Sequence, residues 1–212
     1  MARQLSVYYG MSADGRSVAE AEVDDLAEAR ELIAAAAGCE LAWAHGSAGL
    51  SSLGFGERPG YRRLSGPGRP EPLPDGVTEL SGAEDTAELC AAAYCGQWGH
   101  KTPDAWPVAE LAGSMVLGLR RGGLIAGICR VTPATGHLDA PGLIPGQRDE
   151  AGYRVLLSAG LSQITVAKAT VESWGDDPDR VRVCEQLGLV TAEYCPGWEL
   201  ELADPPRPSG SA

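Results

Sequence analysis

The sequence predicts an α/β chain, α+β in finer classification, with a sheet flanked by helices and an N-terminal partial repeat. Three observations carry this. Strand-like apolar runs alternate with segments of helical, 3.6-residue periodicity. A Pro- and Gly-rich stretch, "SGPGRPEPLPDG" (65–76), separates a short half from a long one. "LGFGERPGYRRL" (53–64) and "LGLVTAEYCPGWEL" (187–200) both run Leu-Gly-apolar, then Pro-Gly-aromatic, then a strand. The expected boundaries are 1–64 for the short, truncated half, 65–76 for a linker, 77–202 for the main domain and 203–212 for a disordered tail.

In the long half, "GVTEL" reads as a strand and "AEDTAELCAAAYCGQW" as an amphipathic helix capped by Ser81. "SMVLGLRRGGLIAGICRVT" is a hairpin turning at Arg121-Gly122-Gly123. "GHLDAPGLI" is a strand in which Pro141-Gly142 forms either a bulge or a simple bend. The next helix places Tyr153, Leu156, Leu157, Gly160, Leu161 and Ile164 on one face. "AKATVESW" is a strand, and "DPDRVRVCEQLG" a short helix with Asp177 as N-cap, Pro178 in its first turn and Gly188 past its end. "GWELEL" closes the sheet.

The short half reads helix ("VDDLAEARELIAAAAG"), strand ("CELAWAHG"), short helical end ("SAGLSSLGF") and strand ("GYRRL"), with Trp43 and Trp174 in corresponding strands. This fits a repeated supersecondary unit. Two unrelated βαβ pieces in one fold would give the same order.

Composition narrows the partners. The 212 residues are 44% hydrophobic, enough for a substantial core, and carry a net charge of -12. That balance disfavours a general nucleic-acid binder but not one small anionic ligand in a local nest. Arg outnumbers Lys by 15 to 2, the bias of a GC-rich bacterial genome. No apolar run reaches a membrane-spanning length and no signal-peptide pattern is present, so a cytoplasmic location is expected. Six scattered cysteines without C-x-x-C or paired-His spacing point to neither metal nor disulfides.

The order strand, helix, strand, short helix ending in "CEQLGL", strand resembles the GNAT family, the acyl-CoA-dependent N-acetyltransferases. The resemblance covers roughly 75–202, and the short half looks like the back end of a second, truncated copy. It implies a GNAT-like mixed, twisted sheet flanked by helices, with acetyl-CoA or another acyl-CoA as cofactor and no metal. In the family a central strand ends in V-x-P. An Arg/Gln-x-x-Gly-x-Gly/Ala loop follows, and its amides take the CoA pyrophosphate. "LIPGQRDEAGY" keeps the Pro and Arg148. Asp149, Ala151 and Tyr153 stand where glycines are expected in that register; with Gln147 leading, Gly152 is the last glycine and Glu150 the middle one. Leu143, Gln147, Arg148, Gly152 and Tyr153 are thus the cofactor-binding candidates. Asp149 and Glu150 oppose a diphosphate, yet they suit a helix N-terminus on their own account.

Candidate catalytic residues are His137, Asp139 and Cys184. His137 lies on the central strand where relatives carry a base, and Asp139, two residues on, shares its face. A solvent-facing polar pair is the bland alternative. Cys184 replaces the Tyr that reprotonates the leaving thiolate in the family; inward packing is the alternative. "YCGQWGHKTPDAW" (94–106) concentrates Tyr94, Trp98, His100, Lys101 and Trp106, with Trp98, His100, Lys101 and Trp106 as substrate contacts. The expected function is acyl transfer from acyl-CoA to a small amine. The alternative is a GNAT-fold protein that no longer uses CoA and serves specialised metabolism, as a small-molecule binder or through cyclisation, hydrolysis or proton transfer. The expected partner is a small-molecule substrate, with no nucleic acid or membrane, and a homodimer stays open.

Overall fold

Strand pairing, not position along the chain, decides which residues share a core. The computed structural model describes residues 4–12, 14–46, 49–69, 72–80, 89, 92–94, 113–174 and 178–202. It divides into a smaller unit, Met1–Gly60 with Cys195–Ala212, and a larger one, Tyr61–Tyr194. Two long strands, β4 (Gly56–Pro67) and β11 (Val190–Glu201), therefore each begin in one unit and end in the other.

The smaller unit holds β1 (Tyr8–Met11), β2 (Ser17–Val23), α1 (Leu26–Ala35), β3 (Leu41–Gly46) and a 3₁₀ turn (Leu50–Leu53). β1 pairs antiparallel with β2, β2 parallel with β3, and β3 antiparallel with the end of β11. Alternation along β2 buries Ala19, Ala21 and Val23 in one core with Ala29 and Leu32 of α1. Asp25 caps α1 through the amides of Ala27 and Glu28, at 2.7 and 2.9 Å.

The larger unit orders its strands β4-β10-β8-β7-β6-β5, with β9 on β7. These are β5 (Val77–Glu79), β6 (Met115–Arg121), β7 (Leu124–Thr132), β8 (His137–Asp139), β9 (Gly142–Leu143) and β10 (Lys168–Trp174). The sheet is mixed, because β8 and β10 are parallel while their other neighbours are antiparallel. Helix α2 (Glu150–Ser162) makes the β8-to-β10 crossover and buries Tyr153, Leu156, Leu157 and Leu161 in one core with Leu138 and Val131. Helix α3 (Pro178–Gln186) adds Val183 and Cys184 to that core. Gly122 and Gly123, with φ of 58° and 84°, make the two-residue turn between β6 and β7.

Three boundaries differ from the sequence reading. Residues 65–67 belong to β4 rather than to a linker, because Gly66 and Ser65 pair with Ala169 and Thr170 of β10. The last strand starts at Val190 and finishes in the smaller unit, where Trp198, Leu200 and Leu202 pack on the α1 core. Leu64 of the short half conversely lies in the larger core. β1 and β2 went unread in the sequence. Of the helix expected from Ser81, Leu89 and residues 92–94 are helical and the rest lies outside the described residues, as do Asp177 and the tail from 203. Both halves nevertheless run the same way: a parallel crossover (β2-α1-β3, then β8-α2-β10), a short helical segment, and a long strand carrying Pro-Gly-aromatic.

Those two Pro-Gly pairs meet. A Cβ on Gly60 would fall 2.6 Å from the Gly197 nitrogen, and one on Gly197 would fall 2.8 Å from the Pro59 oxygen. These neighbours are backbone and cannot swing aside. Gly60→Ala is expected to lower stability by about 2–3 kcal/mol, the range of overpacking, read as a lower urea midpoint.

Candidate functional site

The chain between β7 and α2 assembles the site. From Val131 to Ile128, β7 advances three residues while its partners advance four, from Leu138 to Gly142. The extra residue is a β-bulge around Ala140-Pro141. Beyond it β9 stays on β7, while the β8 pairing to β10 ends at Asp139–Glu172 and the Ala140 N–H bonded to the Glu172 carbonyl at 2.8 Å. Ile144 to Gln147 then form a tight turn, with Pro145 second, Gly146 third at φ 84°, and Gln147 N–H donating to the Ile144 carbonyl at 2.9 Å. Arg148 donates through Nε to the Leu143 carbonyl at 3.0 Å, and Asp149 caps α2.

Strand parity brings His137 and Asp139 together, Nε2 to Oδ1 at 3.4 Å, and Arg130 of β7 donates to the other Asp139 oxygen at 2.5 Å. Glu172 lies beside Asp139 on β10. The hydrogen bond to Asp139 raises the His137 pKa above its ordinary value of 6.5; burial works against it, and the fields of Asp139 and Glu172 add to the rise. Tyr61 of β4 bonds Glu172, and burial first, then that bond, pushes its phenol up to about 12. Arg130, Glu172 and Tyr61 were not singled out in the sequence. The alternation of "KATVESW" was the available signal for Glu172; Tyr61 needed the β4–β10 pairing.

The loop before α2 is closed by its own charges. Asp149 accepts from the Gly152 N–H at 2.6 Å, and both its oxygens accept from Arg121 at the end of β6, at 2.8 and 3.0 Å. Arg121 also donates to the Gln147 carbonyl at 3.0 Å. The Arg121 bonds lead in holding the Asp149 carboxyl below its ordinary value. Glu150 is held by Arg154 at 2.7 Å and Arg182 at 3.2 Å. Arg121, too, was unread in the sequence, where it was only the residue before Gly-Gly.

The other candidates fall elsewhere. Cys184 is 1% exposed and packs in the core, its thiol pushed up to about 12 by burial. The side chains of Tyr153 and Leu143 lie in the same core. Trp98, His100, Lys101 and Trp106 lie outside the described residues. Tyr94, the buried end of that segment, donates to the Ala140 carbonyl at 2.8 Å. Among the described residues no cluster of three or more His, Cys, Asp or Glu is placed to hold a metal, and no helix is long and apolar enough to cross a membrane.

This architecture has known counterparts. A GCN5-related N-acetyltransferase from Sphaerobacter thermophilus superposes with a TM-score of 0.50 at 13% identity, covering 76% of this chain and 59% of its own. A Pyrococcus horikoshii protein with a provisional acetyltransferase description gives 0.57 at 12% identity, over 93% of this chain and 69% of its own. A Drosophila protein gives 0.54 at 13% identity, over 95% and 75%. The chain thus spans just under three fifths of the Sphaerobacter protein. No family model and no curated protein matches the sequence. The chain has the GNAT fold.

That fold implies acyl-CoA, whose pyrophosphate needs open amides at the start of α2. Here Asp149 already accepts from the Gly152 amide and holds Arg121 with both oxygens, so neither that donor nor that cation is open to a diphosphate. The residues present do not fit the cofactor.

The His137 shift has a stability consequence. A raised folded pKa means that protonated His137 favours the folded chain, fully so below its ordinary value of about 6.5 and fading as pH rises through the raised one. The stability gap between wild type and His137→Gln is expected to be widest at acidic pH and to close above neutrality, read by thermal melts across pH. Asp149→Ala is expected to cost about 1 kcal/mol, the usual worth of an N-cap, with the exposed Arg121 pair adding a few tenths.

Proposed function

We propose that this GNAT-fold protein acts on a small molecule by proton transfer at His137, without acyl-CoA. The His137–Asp139–Arg130 arrangement beside the bulge carries the reading. A partly exposed imidazole whose pKa is raised above its ordinary value by the bond to Asp139 is a side chain that can both take and return a proton. Asp139 orients the ring and steadies its cation. Arg130 fixes Asp139 from the opposite side. The fitting reaction types are isomerisation, cyclisation or hydrolysis of a small polar compound.

A second reading is acyl transfer from acyl-CoA to a small amine. The bulge, and the parting of β9 from β10 beyond it, favour that reading, because parted strands leave their carbonyls to partners other than each other, such as an extended cofactor arm.

Small polar compounds that raise the melting temperature of the full chain identify a substrate class. With such a substrate, His137→Ala is expected to lower kcat about 10²-fold, and the wild-type pH profile to show a limb governed by one group that the variant lacks. Unchanged turnover in a folded His137→Ala protein rules out the base role.

A further inference from the structure

Between the bulge and the first turn of α2, three polar positions are bonded to the chain's own side chains. At the bulge, the Tyr94 hydroxyl donates to the Ala140 carbonyl at 2.8 Å, and the ring lies so close over Gly142 that a Cβ there would sit 2.9 Å from a ring carbon. Tyr94 is only 2% exposed. At the end of β9, Arg148 donates to the Leu143 carbonyl at 3.0 Å. At the first turn of α2, Asp149 accepts from the Gly152 N–H at 2.6 Å while Arg121 grips both its oxygens.

We propose that these internal groups fill the groove that an acyl-CoA arm and its diphosphate would take, and that Asp149 stands in the diphosphate's own place. The proposal rests on the CoA-independent reading above. The substitutes match by chemical type. A phenol and a guanidinium donate to strand carbonyls as amide N–H groups of an extended arm would. A carboxylate offers two anionic oxygens to an amide and an arginine, as a phosphate would. The remaining cations nearby give no relief, because Arg154 and Arg182 are committed to Glu150. The site therefore turns away acyl-CoA and other diphosphate-linked donors. Its chemistry is confined to reactions complete without them.

Calorimetry on the full chain, with acetyl-CoA and with inorganic pyrophosphate as separate probes, tests this. Wild type is expected to give no binding up to about 1 mM, the weak end of the affinity scale. Asp149→Gly removes the occupant and frees Arg121, and is expected to bind both probes at least about tenfold more tightly than wild type, a step of about 1.4 kcal/mol. Asp149→Asn keeps a capping side chain but not the charge; it guards against loss of folding in the glycine variant and is expected to gain less. Thermal melts establish which variants are folded. Micromolar binding of acetyl-CoA by wild type overturns the proposal, as does the absence of any gain in the folded variants. Neither readout depends on turnover, so a failure of His137 as base is seen separately.

Discussion

At Gly60 and Gly197, β4 and β11 approach so closely that no side chain fits between them, and the rest of the architecture depends on that passage. Glycine is required there for space, not for an unusual backbone angle; neither residue has a positive φ. Because the strands can pass, β4 goes on to pair with β10 and β11 goes on to pair with β3. Each core then closes on apolar residues from the other half of the sequence: Leu64 in the larger, Trp198 and Leu200 in the smaller. The buried Trp43 shows how firmly the borrowed strand is held. Its indole N–H donates to Glu199 at 2.7 Å and Arg58 stacks 3.6 Å from its ring centroid.

The polar site depends on the same sheet by a shorter route. Parallel pairing of β8 with β10 sets Glu172 beside Asp139, and the antiparallel partner β7 brings in Arg130. The bulge ends that pairing just beyond Asp139. Before it the strand carries the His137–Asp139 pair; after it the strand and loop are tied to Tyr94, Arg148 and Arg121. Two carboxylates thus do different work because their surroundings differ. Asp139 is hydrogen-bonded to the His137 ring and to Arg130, while Asp149 terminates a helix and holds an arginine.

Much of this was legible in local pattern. The period of α2, the Gly-Gly hairpin and the cap residue Gly188 each state their structure within a few residues of sequence, because short-range sterics and hydrogen bonds decide them. The pair His137 and Asp139 was legible for the same reason, since strand parity alone puts both on one face. What was hidden needed partners far along the chain. The acid- and alanine-rich β2 has few bulky β-formers and is a strand because Ala19 and Ala21 fit closely beneath α1. Arg121 looked like a turn-flanking cation, and only the pairing of β6 beside β7 delivers it to Asp149. Cys184 stood at the position of a reactive residue, and its burial in the larger core is something no motif reports.

The exchange of strands also sets an order of events in time. Trp43 and Glu199 bond across 156 residues of chain. A ribosome releases β3 long before the strand that covers its open edge, so the smaller unit cannot finish until residues 197–201 have been made. Its exposed edge must wait while the larger unit forms, a circumstance in which unpaired strands invite aggregation. The long wait makes this a slow-folding topology, whose weak moment falls during synthesis rather than in the finished molecule.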